Sequence, residues 1–148
     1  MRHHSNAHFA ASVTLGRVLS GGANDKTVHP VKFAIGSTRL GEHWHPERKG
    51  SYYPRFSSFV RTAIAAAPQP SRLEGFFWLQ GESDSGAENT ATSYYDNLIS
   101  LVQAVRCDLE RPDLPFVASQ IIWSSGKKVA LVNKSLDRLN DEECTLEP

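Results

Sequence analysis

The sequence predicts an α/β domain in which a parallel sheet is covered by helices. Two patterns carry that expectation. Three short apolar runs, rich in β-branched and aromatic residues, are bounded by glycine or proline. Between and beyond them lie stretches with helical periodicity. Alternation of this kind marks parallel strands joined by crossover helices, which leaves the carboxyl ends of the strands on one side, where ligands collect. The 148 residues fit one domain over 1–148, enough to hide roughly two-thirds of the unfolded surface.

The elements follow in order. Phe9, Val13 and Gly16 form a weak first helical stripe. Val31-Lys32-Phe33-Ala34-Ile35 reads as a strand ending at Gly36. Phe56, Phe59, Val60, Ala63, Ile64 and Ala67 share one helical face, stopped by Pro68 and Pro70. Leu73 to Gln80 is the second strand, ending at Gly81. Tyr95, Leu98, Val102, Val105 and Leu109 predict a helix that opens near Asn89 or Thr90 and closes at Arg111-Pro112. Pro115 to Ile122 is the third strand, with proline at its first position, where a missing donor is tolerated. Val129, Val132, Leu136 and Leu139 supply the last stripe. Three strands make a narrow sheet, so the chain reads as the middle of a parallel domain missing its first and last strands. The open edges that result predict self-association.

Composition removes several function classes. Sixteen basic and 16 acidic residues balance to zero, with pI near 7.0, which excludes a broad electrostatic hold on nucleic acid or an anionic membrane. No run approaches the ~20 apolar residues of a membrane helix. The N-terminal residues lack the apolar core of a signal peptide. Two cysteines, Cys107 and Cys144, are too few for a disulfide framework, and Cys107 reads as a half-buried structural thiol.

The informative segment is Phe76-Phe77-Trp78-Leu79-Gln80-Gly81-Glu82-Ser83-Asp84. An apolar strand runs into polar and small residues, which places a polar cluster at its carboxyl end. Gln80 offers an uncharged amide donor, Gly81 permits a sharp turn or close approach, and Glu82 and Asp84 could face one side. A helix-capping loop built on Ser83, Asp84 and Asn89 fits the same residues. Gly36-Ser37-Thr38-Arg39 repeats the theme, with Arg39 available for an anionic group. Ser83 misses the Gly-x-Ser-x-Gly elbow by one position. All six histidines precede the predicted second helix, so the chain holds no convincing triad. His43 and His45 with Glu42 or Glu47 suggest a metal only weakly, since an exposed polar loop explains them equally well.

At Trp78-x-Gln80-Gly81-Glu82-Ser83-Asp84 the sequence resembles the carbohydrate/sialate O-acetylesterase family of the SGNH hydrolase superfamily. The likeness extends over roughly residues 9 to 140. It takes in Leu15-Gly16-Arg17, Gly36-Ser37-Thr38, Trp44-His45-Pro46 and Tyr52-Tyr53. After the heptad it continues through Tyr95, Asn97-Leu98, Val105-Arg106, Pro112-Asp113-Leu114-Pro115-Phe116 and Gln120-Ile121.

This resemblance implies a flavodoxin-like, three-layer α/β/α fold and hydrolysis of acetyl esters on sugars such as acetylxylan or O-acetyl sialic acid, with no metal or organic cofactor. It implies an acetylated carbohydrate as the partner, and neither nucleic acid nor membrane. The family's nucleophile, in Gly-Gln-Ser-Asn, and its base, in Asp-x-x-His, have no counterpart in these residues. What carries over is the oxyanion hole: Gly36 through its backbone N–H and Gln80 through its side-chain amide. Gly81, Glu82 and Asp84 carry over as supports of the site loop. The family's second glycine is Ser37 here, and its following serine is Arg39. The expectation is an inactive fragment of an esterase, with a non-catalytic sugar- or partner-binding relative as the alternative.

Overall fold

The computed structural model describes Val18, residues 28–122 and residues 126–143. The chain divides into two compact units, Met1–Ala34 and Ile35–Pro148. Residues 28–34 of the first unit have no regular secondary structure. The helix predicted around Phe9, Val13 and Gly16 lies outside the described residues.

The second unit is α/β. Two parallel strands, β1 (Phe76–Trp78) and β2 (Phe116–Ala118), pair in the register Phe76 to Phe116, Phe77 to Val117 and Trp78 to Ala118. Both are shorter than the apolar runs that predicted them. Beyond the ladder Phe76 N–H to Pro115 O (2.8 Å) and Ser119 N–H to Trp78 O (3.2 Å) continue the pairing. The strand expected over Val31–Ile35 does not form. Strand is a property of a backbone paired to neighbours, and among the described residues that run joins neither partner.

Helix α1 (Tyr53–Ala66) starts three residues earlier than its apolar stripe because Pro54, in the first turn, presets the helical φ. The single helix expected from Asn89 to Arg111 is two: α2 (Glu88–Thr92) and α3 (Tyr94–Asp108). Ser93 sits at the break, and its hydroxyl donates to Asn89 O at 2.9 Å, the local competition with the backbone ladder that interrupts helices. α3 stops at Leu109, and Glu110 then turns with φ +54°. Helix α4 (Val129–Glu143) packs on α3 through Val132, Leu136 and Leu139, all buried.

The buried face of α3 carries Tyr94, Leu98, Leu101, Val102 and Val105. Tyr95, taken from the sequence as its first member, instead carries the Arg138 guanidinium 3.9 Å from its ring centre. Arg106 donates to Leu114 O at 3.0 and 3.1 Å, which fixes the turn into β2. One face of the sheet, Phe76, Trp78 and Phe116, joins an aromatic cluster with Phe56 and Trp44. The other face was expected to be covered too. There Phe77 is 41% and Val117 51% exposed.

Candidate active site

Two chain segments meet at the carboxyl end of β1. The first is the turn Gly36-Ser37-Thr38, which leads through Arg39 into a wide helical turn, Leu40–Trp44. The second is Gln80 to Gly86, which leaves β1, turns at Gly81 and closes in a short 3-10 turn, Asp84–Gly86.

Gln80 and Asp84 join the segments. The Gln80 amide nitrogen donates to Thr38 O at 2.8 Å and to Asp84 Oδ2 at 2.6 Å. Asp84 is 1% exposed, and its two carboxylate oxygens share the Leu40 N–H, each at 3.1 Å. Burial raises the Asp84 carboxyl above the usual aspartate range, opposed by the hydrogen bonds from Gln80 and Leu40 and by the charge of Arg39.

The opposite side of Gln80 is held as firmly. The buried Tyr94 hydroxyl donates to Gln80 O at 2.7 Å and accepts from the Trp78 indole N–H at 3.1 Å. Burial pushes the Tyr94 phenol well above its ordinary range, so it stays a neutral donor. Trp44 donates its indole N–H to Thr38 Oγ1 at 2.9 Å, and that hydroxyl donates to Ile35 O at 3.3 Å. The side chains of Thr38, Trp44, Trp78, Gln80, Asp84 and Tyr94 thus form one connected hydrogen-bond network.

Glycine is required at one of the two turns. Gly81 adopts φ +139°, and a Cβ there would stand 2.8 Å from both Ile121 Cδ1 and Val132 Cγ1. Gly36 has neither constraint: it is exposed, and a Cβ would meet nothing within 4 Å. The left-handed residue of that turn is Ser37, at φ +59°. This is the position where the family resembled above carries glycine. Left-handed backbone costs a non-glycine residue about 1–2 kcal/mol, partly offset by the entropy a glycine would lose. Ser37→Gly is accordingly expected to raise stability by up to about 1 kcal/mol, read as a higher urea midpoint; a lower midpoint would contradict the strain.

Glu82 and Asp84 do not share a side. Glu82 is exposed and Asp84 buried, because the 3-10 turn draws Asp84 inward. Nor is Asp84 a helix cap: the N-cap of α2 is Ala87, with no side-chain cap. The sequence reading missed Leu40, Thr38 and Tyr94. Only the spacing of Tyr94, Leu98, Leu101 and Val105 could have signalled Tyr94, as one continuous helical face.

The histidine pair is anchored to backbone. His43 Nδ1 accepts the Arg39 N–H at 3.0 Å and stacks on Tyr52, and His45 Nδ1 accepts the Glu47 N–H at 3.3 Å. The Arg39–Glu42 pair, at 3.5 Å and about half exposed, contributes little. Cys107 lies exposed on α3 rather than half-buried, since it falls off that helix's inward stripe. The arrangement brings together an accessible turn and a rigid buried clamp. Chemically it can present fixed N–H donors to an anionic oxygen.

A model of the family described as carbohydrate esterase, sialic acid-specific acetylesterase matches residues 3–146. No curated protein matches the chain. Among solved structures, a protein from Arabidopsis thaliana determined by X-ray crystallography at 1.6 Å is similar, with a TM-score of 0.58 and 26% identity over 68% of this chain. The chain spans 39% of that protein's length.

Proposed function

The chain belongs to the sialic acid-specific acetylesterase family of carbohydrate esterases, and on that premise we propose that it forms the oxyanion side of a sugar O-acetylesterase site. The observation that carries this reading is the junction of the Gly36–Thr38 turn with Gln80 and Asp84, made by the 2.8 and 2.6 Å hydrogen bonds of one amide group. Ester hydrolysis passes through a tetrahedral intermediate whose oxygen becomes negative. A donor fixed in advance beside that oxygen is worth about 2.7–4 kcal/mol of barrier in comparable systems. Gly36 belongs to that rim through its N–H, and Gln80, Gly81 and Asp84 keep the rim in shape. Glu82 is exposed on the same loop.

Acyl transfer also needs a nucleophile and a base held by a carboxylate. Gly-Gln-Ser-Asn and Asp-x-x-His occur nowhere in the sequence, and both described site-side histidines spend Nδ1 on backbone N–H groups. We therefore expect the 148-residue chain to release acetate from O-acetyl sialic acid and acetylated xylan no faster than an albumin control. Release above that control, abolished by a serine-directed phosphonate, would assign the nucleophile to a serine of this chain. The same histidine geometry favours a second reading, a sugar-binding relative without hydrolysis. Saturable binding of an acetylated sugar without turnover would support it.

A further inference from the structure

Arg39 stands between two buried residues that the junction holds from either side. The Thr38 carbonyl accepts from Gln80 at 2.8 Å, and the Leu40 N–H is shared by the two Asp84 oxygens at 3.1 Å. Arg39 has extended backbone, with φ −110° and ψ 143°, so its side chain leaves on the face opposite to its two neighbours. Its own backbone is fixed as well. The Arg39 N–H donates to His43 Nδ1 at 3.0 Å, and its carbonyl accepts from the His43 N–H at 2.9 Å. A cation on a rigid base is thereby presented to solvent beside the Gly36–Thr38 turn. It lies close enough to Asp84 for its charge to lower that carboxyl. Its side-chain contact is already with a carboxylate: Nη1 meets Glu42 Oε2 at 3.5 Å, with the two side chains 49% and 47% exposed. One long contact engages little of a planar fork of N–H donors whose best match is a carboxylate bound by two parallel hydrogen bonds.

We propose that Arg39 is a specificity-determining residue whose guanidinium takes the carboxylate of an acetylated sugar acid in place of Glu42. Glu42 shows the chemistry that the guanidinium accepts, held loosely enough to be exchanged, since a half-exposed pair at this distance contributes little. The locked backbone on both sides of Arg39 lowers the ordering cost of the exchange, because only the side chain has to settle. The resemblance does not supply this residue: the family carries serine at the position of Arg39. This deepens the sugar O-acetylesterase reading above and rests on it, by naming a charged group that the sugar carries besides its ester. Sialic and uronic acids both offer that group.

Two matched pairs of ligands, titrated into the 15N-labelled chain and followed by NMR, test the assignment. They are the methyl glycosides of N-acetylneuraminic acid and of glucuronic acid, each set against its own methyl ester, which keeps the sugar and loses the charge. The expected result is that at least one acid binds about tenfold tighter than its ester; the acid that does so identifies the source of the carboxylate. In Arg39→Gln, which leaves the backbone bonds in place, the ratio should fall to about twofold or less. Arg48→Gln, which removes an exposed charge from the loop that follows, should leave it unchanged. Equal binding of acid and ester, no binding of either acid, or a ratio that survives Arg39→Gln would overturn the assignment. Equal losses in the two variants would overturn it too, since they mark general attraction. The wild-type comparison stands even where a variant fails to fold. The acetate-release assays answer a separate question: acid and ester bound equally well removes Arg39 alone and leaves the esterase-site reading in place.

Discussion

Replacing Gly81 by alanine is expected to destabilise the chain by about 3–5 kcal/mol, the sum of a disfavoured backbone conformation and an overpacked core. At φ +139° an L side chain is strained wherever it points, and here it points into Ile121 and Val132 at 2.8 Å. Both belong to the packed side of α4 and the segment after β2, so neither can retreat without opening the interface with α3. The Tyr94 hydroxyl, 3.3 Å from the same point, would be displaced as well, and with it the hold on Gln80. Urea unfolding of Gly81→Ala beside Gly36→Ala separates the two turn glycines. The Gly36 variant should stay within about 1 kcal/mol of the wild type, the range of surface changes in open space. Equal losses would mean that Gly81 is not the pinned one.

Asp84→Ala should cost about 2–4 kcal/mol, because it leaves the buried Leu40 N–H and one Gln80 amide hydrogen without an acceptor. Asp84→Asn keeps the shape and removes the charge, which exposes a pH dependence. Burial raises the native Asp84 carboxyl, so the folded chain holds that proton more tightly than the unfolded one. This contribution to stability is fully present below the ordinary aspartate value of ~3.9 and is lost as pH rises through the raised native value. The stability of Asp84→Asn relative to wild type should therefore improve from about pH 4 to about pH 7. A difference that stays flat over that range would show that the carboxylate is as comfortable in the fold as in water.

Part of the candidate site's junction was visible in residue types. Gln80, Gly81 and Asp84 stood out because an apolar strand changes abruptly to small and polar residues, and the structure places all three at the junction. What spacing could not show is which polar groups look inward. Glu82 and Asp84 are two apart in the sequence, yet one is exposed and the other is 1% exposed. The 3-10 turn decides this, and its formation depends on Ser85, whose N–H and hydroxyl reach back to Gly81 O and Glu82 O. The glutamine shows the same limit. A side-chain amide can be read as an available donor from sequence, but whether its hydrogens are spent depends on a carbonyl 42 positions away.

The amino-acid order alone determined the α/β class, the places of α1, α3 and α4, and the positions of the apolar runs that hold β1 and β2. Those features follow from local periodicity, proline placement and short-range backbone preference, which a stretch of chain carries with it. Tertiary structure decided where the strands end, that Val31–Ile35 joins no ladder, that Ser93 splits a helix, and that Asp84 turns inward. Each of these depends on a hydrogen-bond partner remote in sequence or on competition between a side chain and the backbone for one acceptor. Such choices are settled when burial removes water as the alternative partner.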